Sequence, residues 1–218
     1  MERTTDTTDI TTDITVAQQL FGKNFIGQQE LQAIAENFPV AIPRDVPAIP
    51  YAFEELKAYA ADYILVLGAA KTTSGEWLNL LSLREKYGIH PDVSEPCFYN
   101  QDWYLQEDFM ETTLENKWYL IRKNVFEDSR AEQPSLLEKK HAFPSAILCA
   151  YIFFAYWFCT KETLWQYDFV WCNCTDHNGD RIYVGKYHDI DGVNKNGFSI
   201  HRHLALRRCY GAVDALCS

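Results

Sequence analysis

Residues 146–159 read AILCAYIFFAYWFC, a run of 14 side chains without a charge or an amide. A transmembrane helix needs about 20 consecutive apolar residues, so this run is too short to span a membrane. A helix that is apolar on all sides is instead buried inside a domain. Pro144 is predicted to be its first residue, because the missing N–H of proline costs nothing there. The fold is therefore predicted to form around a central buried helix over residues 144–159.

On the C-terminal side of this helix, strand-like runs alternate with turns. Asn178-Gly179 lies between two β-rich runs, and this dipeptide is the strongest short-range signal for a hairpin. One more strand is expected after a polar loop, and another near the end of the chain. This part is predicted to be an antiparallel β-meander with strands at residues 167–172, 181–187, 198–206 and 210–216.

The region before the central helix mixes helical and strand patterns. Residues 63–68 form a short apolar run ending in glycine, which is typical of a buried strand, and residues 114–125 predict another strand. Gly88 indicates the end of a helix over residues 77–87. Further helices are predicted at residues 16–20, 28–37 and 51–61, with a proline-rich extended connector at residues 39–50. The pattern as a whole predicts an α+β fold.

The first residues differ in composition from the rest of the chain. Residues 1–14 are rich in Thr and Asp, whose side chains compete for backbone hydrogen bonds and disfavour a helix. This segment is predicted to be a disordered tail, and residues 15–218 a single α+β domain. With 47% hydrophobic and 15% aromatic residues, the domain is expected to fold without a metal or a disulfide.

The charges are unevenly distributed. The net charge is -10, and residues 1–110 carry 7 basic and 17 acidic side chains, whereas residues 111–218 carry 13 of each. An acidic half repels phosphate backbones, so nucleic acid is expected as a partner only through a local basic patch in the C-terminal part. Seven cysteines, an odd number, and the lack of an export signal predict reduced thiols in the cytoplasm. No membrane partner is expected.

Three blocks of sequence resemble those of an uncharacterised bacterial protein family. They read KWYLIRK at residues 117–123, FPSA at residues 143–146 and GDRIYVG at residues 179–185, with Asp191-Gly192 later, in the order WxLIRK, PSA and GxRVxVG. The resemblance covers about residues 60–216. It implies a bacterial protein, but it implies no activity and supplies no catalytic residues.

A second resemblance concerns the C-terminal part alone. FVWC at residues 169–172 and RIYV at residues 181–184, followed by an Asn- and Gly-rich loop and a closing strand, are similar to the end of C-type-lectin-like domains. This resemblance implies a ligand-binding protein, of a fold that also occurs in variable proteins of phage and mobile elements. The chain departs from that pattern because it has no recognisable cystine pair or calcium motif.

A basic and histidine-rich segment near the C-terminus is the first candidate ligand site. If residues 198–210 form a strand, alternation places His201 and His203 on the same face. Together with Arg202, Arg207 and Arg208 they are predicted to bind an anionic ligand, because arginine binds phosphate in a bidentate manner. Paired imidazoles also suit zinc, but no metal is assigned. The alternative is a solvated polar face of an edge strand.

Two motifs in the hairpin have ambiguous chemistry. Cys172 and Cys174 with His177 are a second metal candidate, whereas the alternative is structural thiols. The acidic turn at residues 176–180 imitates the opening of an EF-hand loop, but its sixth position is Arg181 instead of glycine. An Asx-type turn is therefore the preferred interpretation.

The sequence supports two hypotheses about function. No phosphate-binding glycine loop, G-x-S-x-G elbow or H-E-x-x-H helix occurs. The first hypothesis is a non-enzymatic ligand- or macromolecule-binding protein of a bacterium or its mobile elements, with no cofactor. The alternative is a metal-dependent hydrolase, above all a nuclease, because Glu115-Asn116-Lys117 is similar to an E-x-K half-site that Asp102 or Asp108 would complete. In that alternative, His201 and His203 are the other candidate metal ligands.

Overall fold

The computed structural model of the chain describes residues 11–187, 196–202 and 206–216. It is an α+β structure, as the sequence predicts. The helices are α1 (Ile14–Phe21), α2 (Gln28–Ala33), α3 (Phe53–Tyr59), α4 (Leu80–Tyr87), α5 (Pro134–Leu137) and α6 (Ala146–Thr160). The strands are β1 (Phe25–Ile26), β2 (Tyr63–Leu67), β3 (Trp118–Arg122), β4 (Phe169–Thr175), β5 (Arg181–Tyr187), β6 (Gly197–His201), β7 (Tyr210–Gly211) and β8 (Ala215–Leu216).

The strands of the described residues form two four-stranded sheets. In the first sheet, with the order β1-β2-β3-β8, β2 is parallel to β1 and antiparallel to β3. In the second sheet, with the order β6-β5-β4-β7, the strands β4, β5 and β6 form the antiparallel meander predicted from the sequence. The register of β4 shifts between Trp171 and Thr175, so the hairpin ends in an irregular segment.

Helix α6 joins the two sheets and is buried along most of its length, as predicted. All residues from Ala146 to Tyr156 are buried. The hydroxyl of Tyr151 donates a 2.9 Å hydrogen bond to the carbonyl of Leu67 in β2. On the other sheet, the ring centroids of Phe153 and Phe198 lie 5.1 Å apart. A single core cluster therefore includes side chains from both sheets.

The predicted start of this helix is wrong by two residues. Ser145 is the N-cap, and its hydroxyl accepts a hydrogen bond from the N–H of Leu148. Pro144 lies before the cap, and its carbonyl accepts a hydrogen bond from the N–H of Asn173 at the end of the hairpin. Serine is among the best N-cap residues, because its side chain satisfies a free N–H of the first turn.

The prediction that residues 210–216 form the last strand of the meander is wrong. This segment is divided between the two sheets: Tyr210–Gly211 pairs in parallel with β4, and Ala215–Leu216 pairs with β3. The strand predicted at residues 198–206 ends at His201. Backbone groups that leave water need partners, and here the end of the chain supplies partners to an edge of each sheet.

The boundary of the predicted disordered tail also needs correction. Residues 1–10 lie outside the described residues, but Thr12 is buried and its hydroxyl donates a 2.7 Å hydrogen bond to the carbonyl of Tyr51. Asp13 is the N-cap of α1, and its carboxylate accepts from the N–H groups of Thr15 and Val16. Residues 12–14 are therefore part of the folded chain.

Most of the other predicted elements before α6 occur with shorter bounds: the helix predicted at residues 77–87 begins at Leu80, and the strand predicted at residues 114–125 spans Trp118–Arg122. The strand β2 is buried throughout, and α4 ends before Gly88, which has a φ of 65°. The helix predicted at residues 28–37 is shorter and ends at Ala33. Within the described residues, none of the helices is both long enough and apolar enough to cross a bilayer.

Candidate functional site

The turn between β4 and β5 presents an acidic residue and a histidine side by side. The Oδ1 atom of Asp176 accepts hydrogen bonds from the N–H groups of Asn178 (2.9 Å) and Asp180 (2.8 Å). Gly179 has a φ of 85°, a left-handed conformation that glycine adopts without strain. The predicted Asx-type turn is thus confirmed, and it fixes Asp176 next to His177.

Glu107 approaches this turn from a separate loop. It precedes the short 3-10 helix Asp108–Glu111 and is 7% exposed. Its Oε2 atom accepts a 2.8 Å hydrogen bond from the N–H of His177, and its Oε1 atom lies 2.6 Å from Nδ1 of the same residue. The His177 side chain is 66% exposed. One buried carboxylate therefore orients an imidazole ring whose other edge faces solvent.

Arg202 completes the cluster from the end of β6. Its guanidinium lies 3.1 Å from Oδ2 of Asp176 and 3.9 Å from Oε1 of Glu107. The same group lies 4.6 Å from the ring centroid of Trp103, a distance that allows a cation–π contact. Because two buried carboxylates face one guanidinium, the positive charge of Arg202 is compensated inside the protein. This arrangement does not favour an additional anion.

The pKa of Asp176 responds to opposing influences. Burial raises it, but the backbone N–H groups of Asp180 and Asn178 and the guanidinium of Arg202 stabilise the ionised form. The result is a pKa below the ordinary value of 3.8. Asp176 is therefore a carboxylate at neutral pH and is available as a ligand for a cation.

Glu107, Asp176 and His177 together have the composition of a metal site. Each offers one ligand atom, and these atoms lie within 4.8 Å of one another. Bonds of about 2.0–2.2 Å to a metal place neighbouring ligand atoms about 3 Å apart, so the contact between Glu107 and His177 has to lengthen slightly. A metal ion bound to Oδ2 of Asp176 also competes with Arg202. In the part of the chain that the structure describes, no other group of three or more His, Cys, Asp and Glu residues is this compact.

No family model, curated protein or solved structure matches this chain.

The described members of the predicted C-terminal ligand site have different partners. His201 is stacked on Tyr183, with 5.3 Å between ring centroids, and alternation along β6 is as predicted, because Phe198 and Ile200 enter the main core. Arg202 belongs to the Glu107 cluster. Arg207 and Arg208 are exposed, and no contact among the described residues joins either of them to Arg202. His203 lies outside the described residues.

The cysteine candidate does not form a ligand set with His177. Cys172 is completely buried, and burial together with a hydrogen bond to the Cys149 thiol raises its pKa. A hydrogen bond to Cys172 and burial raise the pKa of Cys174 as well. Within the described residues, neither thiol belongs to a compact group of possible metal ligands, so the packing role considered for these residues fits the geometry better.

The E-x-K candidate is also not assembled into a metal site. Lys117 forms a 3.0 Å ion pair with Glu115, whose side chain is 74% exposed. Within the described residues, Glu115 belongs to no compact group of three or more possible metal ligands. An exposed ion pair between near neighbours is common on protein surfaces and contributes little to stability.

Glu107 is the functional candidate that the sequence patterns missed. It follows an aromatic loop and is 70 positions away from His177, with which it forms two contacts. No spacing rule connects these residues. The one local signal is the Asx-type turn, which identified Asp176 and His177 as neighbours but not the carboxylate that packs against them.

Proposed function

We propose that this chain is a non-enzymatic binding protein and that its ligand is a divalent transition-metal ion held by Glu107, Asp176 and His177. The observation that supports the proposal is the convergence of two buried carboxylates and one imidazole within 4.8 Å. Burying carboxylates is costly unless a positive charge compensates them. A bound cation would compensate both at once, in addition to the single charge of Arg202.

The donor atoms narrow the choice of metal ion. Two carboxylate oxygens and one imidazole nitrogen suit first-row ions such as Mn²⁺ and Zn²⁺, whereas Ca²⁺ is bound by oxygen ligands alone. Mn²⁺ prefers carboxylate ligands to thiolates. Zn²⁺ also binds thiolates, so the free cysteines of the chain would compete with the cluster for Zn²⁺. Mn²⁺ is therefore the better probe of this cluster.

The proposal is tested by calorimetric titration of the chain with Mn²⁺ at pH 7.5, with Ca²⁺ as a comparison. We expect one Mn²⁺ site and no comparable Ca²⁺ site. Glu107→Gln should weaken Mn²⁺ binding by about 10-fold or more, because it removes a charged ligand. Glu127→Gln removes a carboxylate that pairs with Arg130 outside the cluster, and it should leave the affinity unchanged.

Arg202 provides a sharper version of the same experiment. Its guanidinium competes with a cation for Asp176, so Arg202→Gln should tighten Mn²⁺ binding several-fold. An anionic ligand would respond in the opposite way, because the same substitution removes the positive charge that attracts it. Absence of Mn²⁺ binding, or equal binding by wild type and Glu107→Gln, would contradict the proposal.

The cellular setting forms part of this proposal. The cysteines of the described residues are all free, and Cys149, Cys172 and Cys174 remain thiols although hydrogen bonds connect them. Unbridged neighbouring thiols suit the reducing cytoplasm of a bacterium. The block resemblance supports a bacterial origin, and the C-type-lectin-like resemblance of the C-terminal part, which supports a ligand-binding protein of a mobile element, stays a prediction.

A metal-dependent hydrolase is the second candidate, and the exposure of His177 favours it. Catalytic metal sites keep one coordination position open for water, and the exposed edge of this ring places the cluster next to solvent. A nuclease assay with single-stranded DNA and RNA in the presence of Mn²⁺ separates the candidates. Cleavage by wild type that is lost in Glu107→Gln would favour the hydrolase, whereas Mn²⁺ binding without cleavage would favour the binding protein.

A further inference from the structure

Arg202 occupies the position that a cation would take in the Glu107 cluster. Its Nη1 atom lies 3.1 Å from Oδ2 of Asp176 and 3.9 Å from Oε1 of Glu107, so one nitrogen faces both carboxylates. The other oxygen of each carboxylate already accepts hydrogen bonds from the backbone of the turn between β4 and β5. A metal ion bound to Oδ2 of Asp176 and Oε1 of Glu107 would therefore displace the guanidinium from both.

A second interaction holds Arg202 independently of these carboxylates. Its guanidinium lies 4.6 Å from the ring centroid of Trp103. The Nε1 atom of this indole donates a 3.2 Å hydrogen bond to the carbonyl of Ile200 in β6, two positions before Arg202. The ring is thus fixed next to the backbone that carries the arginine. A guanidinium that leaves the carboxylates can remain on Trp103 through the cation–π contact and stay beside the cluster.

A divalent ion would reverse the sign of the charge at this site. Glu107, Asp176 and Arg202 together carry a formal charge of −1. A 2+ ion changes this charge to +1 if His177 is neutral, as a metal ligand has to be. Three protein ligands also leave coordination positions open on Mn²⁺, which prefers octahedral geometry. The metal ion and the released guanidinium would then both attract an anion.

Solvent reaches the side chains that an anion would contact. The side chain of Arg202 is 25% exposed and that of His177 is 66% exposed. The side chains of Glu107 and Asp176 are only 6% and 0% exposed. An anion that arrives from solvent therefore meets the guanidinium and the imidazole before it meets the buried carboxylates.

We propose that, once Mn²⁺ is bound, the site takes a terminal phosphate group as a second ligand, with one oxygen on the metal ion and another on the Arg202 guanidinium. This second ligand depends on the Mn²⁺ site proposed for Glu107, Asp176 and His177. Phosphate suits both partners, because arginine binds it in a bidentate manner and divalent ions bind its oxygens. Without Mn²⁺, the carboxylates repel the phosphate and hold Arg202. Mn²⁺ and the phosphate group are therefore expected to bind cooperatively.

Calorimetric titration of the full chain with Mn²⁺, in the presence and absence of excess methyl phosphate, measures this coupling. We expect methyl phosphate to tighten Mn²⁺ binding by about 5-fold or more, after correction for Mn²⁺ that binds methyl phosphate in protein-free buffer. Linkage requires that Mn²⁺ tightens methyl phosphate binding by the same factor, which titrations with methyl phosphate check. Dimethyl phosphate represents the diester of a nucleic-acid backbone. It carries a single charge and should have a smaller effect.

Arg202→Gln distinguishes this proposal from a metal site without a second ligand. The substitution removes the competitor for Asp176, so it should tighten Mn²⁺ binding when no phosphate is present. It also removes a partner of the phosphate group, so it should reduce the effect of methyl phosphate to about 2-fold or less. The same substitution thus has opposite effects on the affinity for Mn²⁺ and on the coupling.

Arg122→Gln is the matched control. Arg122 is 22% exposed, forms an ion pair with Asp62 and lies 4.1 Å from the ring centroid of Phe126, so its surroundings resemble those of Arg202. It lies outside the cluster, and its substitution removes the same charge. It should change neither the affinity for Mn²⁺ nor the effect of methyl phosphate.

Each other outcome would contradict part of this scheme. Equal Mn²⁺ affinity with and without methyl phosphate would overturn the second ligand and leave the Mn²⁺ site in place, whereas absence of Mn²⁺ binding would overturn both. An equal effect of methyl phosphate on wild type and Arg202→Gln would show that the guanidinium does not bind the phosphate group. An equal or larger effect of dimethyl phosphate would show that the site does not select a terminal phosphate.

Discussion

Helix α6 and the Glu107 cluster are both buried parts of the molecule, but different forces stabilise them. Residues 146–156 of α6 pack almost entirely through apolar and aromatic surface, and removal of such surface from water is independent of pH. In the cluster, Glu107 and Asp176 are buried charges that depend on His177, Arg202 and backbone donors. Losing one partner leaves a desolvated charge, so each single substitution in the cluster is expected to lower the stability of the fold.

The largest effect is expected from a cavity in the apolar region. Phe154 is completely buried and packs against Tyr87 and Phe98, with centroids 4.1 Å and 5.3 Å apart. Phe154→Ala should lower the free energy of unfolding by about 3–5 kcal/mol, measured by urea denaturation. Leu136→Ala, at a 50% exposed position, should change it by less than about 0.5 kcal/mol. A loss under about 1 kcal/mol for Phe154→Ala would contradict the central role of α6.

A smaller and pH-dependent effect is expected in the cluster. Asp176→Asn keeps a side-chain acceptor but removes the charge that faces Arg202, so it should cost about 1.5–3 kcal/mol at pH 7. The pKa of Asp176 is lowered in the folded chain, so the stabilisation by its charge is present above its ordinary value of 3.8 and is lost as the pH falls through the lower folded-state value.

Urea unfolding at pH 7, 5 and 3 checks this pH dependence. The free energies of unfolding of wild type and Asp176→Asn should differ most at pH 7 and should approach each other at pH 3. Titrating groups outside the cluster are common to both proteins and cancel in the difference. A difference that stays constant down to pH 3 would show that Asp176 stabilises the turn through hydrogen bonds and not through its charge.

A hydrogen bond inside the apolar region tests whether the stability of α6 is independent of pH, in contrast to that of the Glu107 cluster. Tyr151→Phe removes the donor to the carbonyl of Leu67 and should cost about 1–2 kcal/mol in urea unfolding. Burial raises the pKa of Tyr151, so its hydroxyl stays protonated and the cost should be the same at pH 5 and pH 9. Tyr167→Phe, at a 71% exposed position, is the control and should have no measurable effect. A cost that varies with pH would remove the distinction between the two regions.

The smallest effect is expected at the edge of the apolar region, where α1 begins. Asp13→Ala removes the side-chain acceptor of the N-cap and should lower the free energy of unfolding by about 0.5–1 kcal/mol. Asp13→Ser preserves an acceptor and should retain most of the stability. If Asp13→Ala has no effect, the contacts of Thr12 and Asp13 do not stabilise the chain. That result would support the predicted boundary of the N-terminal tail at residue 14.

Local sequence patterns predicted the elements that are determined by residues close together in the chain. The apolar run at residues 146–159 identified α6, because an apolar surface on every side leaves no face for water. Gly88 identified the end of α4, and Asn178-Gly179 identified the hairpin. The start of α6 was missed because Pro144 and Ser145 are both favourable at a helix start, and the pairing of Pro144 with Asn173 decides between them.

The sequence by itself determined the α+β class, the buried helix, the first three strands of the meander and the Asx-type turn at Asp176, because burial and turn chemistry act over a few residues. Only the tertiary structure decided that β8 leaves the meander to pair with β3 and that Glu107 meets His177. It also decided that Arg202 pairs with Asp176 and Glu107. The physical reason is that ion pairs and strand pairings between distant segments form only after the core has brought those segments together, and they leave no periodic signal in the chain.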